Sequence, residues 1–138
     1  MRGEGAFFDT NVLLYVYRLN DPRSEMAERL LAAGGVVSVQ SLNEFVSVAH
    51  RKLNMPWKAI LDALDDIGVL CPSPVPLTLT IHQKALRIAE RYRYHIYDSL
   101  LIAAALQASC RTFFSEDMQH GQTIESLTIR NPFRSTIN

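Results

Sequence analysis

Residues 6–13 read Ala6-Phe7-Phe8-Asp9-Thr10-Asn11-Val12-Leu13, a short apolar run closed by an acid, a hydroxyl and an amide. An apolar run of this length, with no alternation to polar residues, reads as a strand buried on both faces. Val12 to Leu19 is apolar with Tyr15 and Tyr17, and predicts a helix packed on that strand, the tyrosines serving as packing residues. Asn20-Asp21-Pro22 breaks it.

The same alternation continues outward. Ser24 to Ala33 has helical periodicity, with Met26, Leu30 and Ala33 on one face, and Gly34-Gly35 stops it. Val36-Val37-Ser38-Val39 is a second buried strand. Ser41 opens a helix to about Leu53, with Phe45, Val48 and Ala49 facing inward. Pro56 suits the first turn of a helix running to about Ile67, followed by Gly68-Val69-Leu70-Cys71 as a third strand. After the rigid Pro72-Ser73-Pro74-Val75-Pro76 connection, Thr80 to Tyr94 predicts an amphipathic helix and Tyr97 to Ser109 a strongly apolar one. Arg111 to Phe114 is the fourth strand and Leu127 to Arg130 the fifth. Short apolar strands separated by helices imply an α/β fold: a mostly parallel sheet of about five strands with helices on both faces. No internal repeat or linker divides residues 1–138, which read as a single domain.

Composition narrows the function classes. Hydrophobic residues make up 48% and charged residues 20% of 138, a globular profile long enough to bury a core. Fourteen basic and 14 acidic residues cancel, which argues against nucleic-acid binding by bulk charge but leaves room for an acidic site with separate basic contacts. Cys71 and Cys110 are far apart and lack metal-ligand spacing, so two inert buried thiols in a reducing cytosol are expected. Met1-Arg2-Gly3-Glu4-Gly5 is too short and too acidic for a signal peptide, and no apolar run spans a membrane, so a soluble cytoplasmic protein is expected.

Four acids occupy suggestive places. Asp9 follows the first strand, Glu44 the start of the helix after the second, Asp98 the start of the apolar helix, and Asp117 the fourth strand. In open parallel sheets, ligands bind beyond the carboxyl ends of the strands where chain order reverses. Each acid also has a purely structural reading. Asp9 suits an N-cap, Ser41-Leu42-Asn43-Glu44 has the form of a capping box, Asp98 suits a helix first turn, and Asp117 an ordinary loop. Brought together, however, they would repel by about 4 kcal/mol per close pair at an effective dielectric near 20. No lysine or arginine closely flanks any of them in sequence. A hard divalent cation would relieve that repulsion.

These residues resemble the motifs of PIN-domain nucleases. Phe7-Phe8-Asp9-Thr10-Asn11-Val12-Leu13 is similar to their opening motif, and Ser41-Leu42-Asn43-Glu44-Phe45 to the second. Tyr97-Asp98-Ser99-Leu100-Leu101-Ile102-Ala103 resembles the third, Phe114-Ser115-Glu116-Asp117 the fourth, and Asn131-Pro132-Phe133 the close of many members. The matches keep the family's order over residues 6–133, and single-domain members of this size are mostly VapC-type toxins of type II toxin–antitoxin pairs. The resemblance implies a three-layer PIN-like fold and a catalytic quartet of Asp9, Glu44, Asp98 and Asp117. Asp9, Asp98 and Asp117 would hold Mg2+ (or Mn2+), Glu44 would orient water or a second ion, and Asn11 and Ser115 would hold the acids in place. It further implies hydrolysis of an RNA phosphodiester, a VapB-like antitoxin partner that inserts a segment into the active-site groove, and a homodimer. Of the adjacent acids Glu116 and Asp117, the spacing from Ser115 favours Asp117.

Weaker signals surround that set. Lys84, Arg87 and Arg91 share one face of the helix before Asp98, a candidate RNA-phosphate stripe or a solvated basic face. Trp57, Tyr94 and Tyr97 are candidates for base stacking or for packing. His50, His82, His95 and His120 show no catalytic spacing; His120, near Asp117, reads as an exposed loop residue. A haloacid-dehalogenase-like phosphatase would want an aspartate at position 11, which is asparagine, and a receiver domain would want paired acids near the first strand and a lysine after the last. A PIN fold kept only for RNA or protein binding is the remaining alternative.

Overall fold

The computed structural model describes residues 5–134; the N-terminal stretch read against a signal peptide lies largely outside the described residues. Four strands and six helices follow in the order β1 (Ala6–Phe8), α1 (Thr10–Val16), α2 (Ser24–Ala32), α3 (Val39–Arg51), α4 (Trp57–Leu70), α5 (Leu79–Tyr92), α6 (Ile96–Gln107), β2 (Thr112–Phe114), β3 (Thr123–Ile124) and β4 (Leu127–Arg130). The sheet runs β1-β2-β4-β3, with β1, β2 and β4 parallel and β3 antiparallel to β4.

The α/β class is as expected, with four strands instead of about five. Alternate residues of β1 face opposite layers. Phe7 joins the core under α5 and α6, stacking on Phe113 at 5.2 Å, whereas Phe8 joins the core under α1–α4. Both rings are fully buried, each contributing roughly 2–3 kcal/mol of transfer free energy. This explains why β1 carries no polar residue: both of its faces are inside. The apolar helix α6 is buried from Ser99 to Ala105, and its alanines let α5 approach closely.

Three sequence expectations change. Val36–Val39 forms no strand; Val36 and Ser38 each make a single parallel bridge, to Phe7 and Val75 respectively. Gly68–Cys71 is not a strand either, because α4 continues to Leu70. Ile60, Ala63, Ile67 and Cys71 are all buried at spacings of three and four, so helical periodicity runs through Gly68 and outweighs its low propensity. Beyond β1, the edge strand of the four-stranded sheet, Val75 in the proline-rich connection trades hydrogen bonds with Val37 and Val39. Lastly, α3 starts two residues early. Ser38 is its N-cap and Ser41 completes the capping box from the N3 position. Glu44 therefore lies in the second turn, free of any capping duty.

The glycines give a direct check. A Cβ on Gly35 would sit 2.6 Å from the Phe8 ring and 2.8 Å from the Ala6 carbonyl oxygen, whereas one on Gly68 meets nothing within 4 Å. Gly68→Ala is expected to stabilise the protein by roughly 0.5–1 kcal/mol, as an exposed helical site requires and a strand would not. Gly35→Ala is expected to lower the melting temperature by several degrees. Thermal melts of the two variants check both, and a destabilised Gly68→Ala would contradict the helix.

A candidate active site at the ends of β1 and β2

Register brings the first two site residues together. Phe8 pairs with Phe114, so Asp9 and Ser115 leave adjacent parallel strands side by side, and the Asp9 amide donates to the Phe114 carbonyl at 2.9 Å. Chain order reverses here: the segments bridged beyond β1 come before β2 in sequence, which makes the β1–β2 junction the switch point where ligands bind in such sheets. Asp9 is buried, caps α1 through the Thr10 amide at 2.7 Å, and accepts from the Ser115 hydroxyl at 2.7 Å. The same Ser115 oxygen accepts from the Asp117 and Met118 amides, at 3.2 and 3.3 Å, which curls the loop back over the strand ends. Asn11 donates its amide to Asp117 at 2.9 Å, and its buried side-chain oxygen has no partner.

Glu44 on α3 accepts from the Thr10 hydroxyl at 3.1 Å and from Gln40 at 3.0 Å. Asp98 enters from the first turn of α6. All four acids line one open cleft of about 650 Å3, together with Asn11. Among the described residues none of the four is in an ion pair. Glu116 goes the other way: it binds the Tyr15 hydroxyl and forms an ion pair with Arg23 at 2.7 Å, outside the cleft. The spacing from Ser115 thus picks out the acid that faces the cleft.

Other sequence candidates fall elsewhere. Lys84, Arg87 and Arg91 line a separate hollow with Glu125, which pairs with Lys84 at 3.1 Å, and share no lining residue with the acidic cleft. Trp57 stacks on His50 away from it, and Tyr94 binds Gln122; only Tyr97, 55% exposed, reaches the cleft. His120 is exposed and accepts from the Asn131 amide at 2.9 Å. Cys71 and Cys110 are free and buried, and burial pushes each thiol up to about 11. Sequence reading missed the polar face of α3, where Gln40, Asn43, Ser47 and Arg51 join Glu44 along the cleft. Their spacing of three and four was the available signal.

A family model for the PIN domain matches residues 6–123. The chain belongs to the PIN domain family. PIN domains are in general nucleases. A toxin–antitoxin complex from Klebsiella pneumoniae contains a similar fold, with a TM-score of 0.69 and 13% identity over 92% of this chain and 97% of that one. VapBC2 from Rickettsia felis, bound to a DNA fragment from their promoter, is similar at a TM-score of 0.65 and 16% identity, covering 91% and 97%. At these identities the likeness is one of fold. No curated protein matches the chain.

The electrostatics of this PIN domain are those of clustered carboxylates that, among the described residues, form no ion pair, with His95 the opposing charge felt by Glu44 and Asp98. Burial pushes Asp9 up to about 7 against the lowering pull of Ser115, and the charges of Asp98 and Asp117 add to the rise. Burial also raises Glu44 and Asp98, with His95 opposing in both cases. No three His, Cys, Asp or Glu side chains among the described residues form a ready-made metal shell. Bare like charges favour separation, and magnesium keeps several waters and needs one or two carboxylates, so an open cleft of this kind fits the ion without a closed cage. The partnerless Asn11 oxygen is a free acceptor for such a water.

Because folding raises Asp9 from 3.8 to about 7, the native state holds a proton that the unfolded chain has released. In chelator, the contribution of this group to stability is therefore full below about pH 4 and is lost as pH climbs to about 7. Asp9→Asn keeps an acceptor for Thr10 and removes that loss, so at pH 8 it is expected to melt roughly 5 °C above wild type, with the gap closing towards pH 4. Parallel melting curves for the two proteins across this range would show that Asp9 carries no such shift.

Proposed function

We propose that this PIN domain is a metal-dependent endoribonuclease that hydrolyses RNA phosphodiester bonds as the toxin of a VapBC-type toxin–antitoxin pair. The observation that supports it best is the meeting of four carboxylates from four separate segments in one cleft, with no lysine or arginine of the described residues paired to any of them. A scaffold using these acids only as caps would not need that convergence, and Glu44 does no capping at all.

In this reading Asp9, Asp98 and Asp117 hold Mg2+ or Mn2+, and Glu44 orients water. The ion, when bound, lowers the pKa of water and neutralises charge on the phosphate and leaving oxygen. Ser115 fixes the Asp9 carboxylate by its 2.7 Å hydrogen bond, and Asn11 fixes Asp117 at 2.9 Å. Asp9, protonated below about pH 7 in the free protein, must lose that proton to ligate, so ion affinity rises with pH through this range. No histidine is required as base. The antitoxin partner is supported by the toxin–antitoxin assemblies among the structural neighbours. A homodimer and a cytoplasmic location complete the proposal for residues 1–138 as one nuclease domain. No described helix is long and apolar enough to cross a membrane.

Cleavage of RNA by the purified protein tests it. Cleavage is expected with magnesium or manganese and not in chelator, and Asp9→Asn and Asp98→Asn should each lose roughly 100-fold or more while keeping wild-type circular dichroism. Ser115→Ala should weaken manganese binding by about 10–100-fold. Cleavage that survives both aspartate substitutions would sink the proposal. So would a protein with no activity and no change in melting temperature on adding either ion, which would favour a non-catalytic binding module.

A further inference from the structure

A nuclease cleft floored by four carboxylates repels its own substrate, so something on its walls must attract nucleic acid. Among the described residues, Arg51 is the only lysine or arginine that lines the cleft. It closes the polar face of α3, two turns or about 10 Å of helix beyond Glu44. The side chain is exposed and bonds to Ser47 at 2.9 Å, and among the described residues no carboxylate pairs with it. A guanidinium in this state is available to a phosphate, with geometry suited to bidentate contact.

The other wall is aromatic. Tyr97 precedes Asp98 on the first turn of α6 and lines the same cleft at 55% exposure. Its position is braced: His95 caps α6 by accepting from the Tyr97 amide at 3.2 Å, and the two rings lie 5.2 Å apart, tilted by 36°. A cation that tracks the backbone beside an open ring that takes a base is the pairing by which proteins bind single strands. The basic stripe on α5 lacks this arrangement. It lies in another hollow, Lys84 is engaged by Glu125, and Arg91 lies over Tyr92.

We infer that Arg51 and Tyr97 form the subsite for the part of a single-stranded RNA that flanks the cleaved bond, the guanidinium taking a flanking phosphate and the tyrosine ring an unpaired base. The subsite rests on the ribonuclease reading above for its substrate, and its test reads binding independently of cleavage.

The experiment is fluorescence anisotropy of a labelled single-stranded RNA in chelator, titrated with wild type, Arg51→Ala, Tyr97→Ala, Tyr97→Phe and Arg87→Ala across a salt series. Circular dichroism melts exclude misfolded variants. Arg51→Ala is expected to weaken binding about tenfold and to reduce the slope of log affinity against log salt by about 0.7, one phosphate contact on a single strand. Tyr97→Ala should weaken binding fivefold or more at unchanged slope, as loss of a stacked base predicts, with recovery in Tyr97→Phe. The proposal is overturned if Arg51→Ala keeps wild-type affinity and slope, or if the slope falls in Arg87→Ala instead. A wild type that binds RNA with these variant effects but never cuts it leaves the subsite standing and removes the nuclease. Conversely, a wild type that cuts while the variants bind normally removes the subsite alone.

Discussion

The parallel pairing of β1 with β2 is the constraint on which the rest of the molecule depends. Three residues on each strand set the register, and the stacked pairs Phe7–Phe113 and Phe8–Phe114 hold it. A one-residue slip would carry each phenylalanine to the wrong layer, so the two cores enforce the register from both faces. That register puts Ser115 beside Asp9, and the 2.7 Å bond between them joins the two halves of the site. The geometry of the candidate site and the packing of the core are therefore set by the same contacts.

The loop after β2 shows how neighbouring acids receive opposite roles. Glu116 is neutralised by Arg23, whose guanidinium also lies over the Tyr15 ring at 4.9 Å and pairs with Asp21. The Tyr15 hydroxyl, pushed up to about 12 chiefly by burial and then by its bond to Glu116, stays protonated and donates to that carboxylate. This cluster anchors the loop on the α1–α2 side. Asp117 is left facing the cleft, held by Asn11 and by the Ser115 turn. Burying Asp9 near other negative charges costs stability, a cost of the kind found at sites kept for chemistry rather than for folding.

Where sequence reading failed, a tertiary contact overrode a local signal. Gly68 suggested the end of a helix, yet the buried spacing from Ile60 to Cys71 kept α4 intact. The pattern Ser41-Leu42-Asn43-Glu44 matched a capping box, but Ser38, one bridge from Val75, sits at the true helix start and takes Ser41 as its partner. The α5 basic stripe was real as a helix face, but a face has no address until the helix is docked. Conversely, the polar edge of α3 was readable as a periodicity, and its importance came only from facing Asp98 and Tyr97 across a cleft.

The sequence by itself determined the α/β class, the strands at Ala6–Phe8, Thr112–Phe114 and Leu127–Arg130, the presence of the six helices and the places of the four acids beside strand ends and helix starts. Local composition carries these, because a strand buried on both faces must be apolar and a carboxylate beside a strand end must be written as such. Only the tertiary structure decided that the acids share one cleft, that Glu116 turns away to Arg23, and that Arg51 rather than the α5 stripe lies nearby. These depend on strand register and on helix rotation about its axis. Both are set by contacts between residues far apart in the chain, such as Asp9 with Ser115 and Thr10 with Glu44, and no local stretch of sequence contains them.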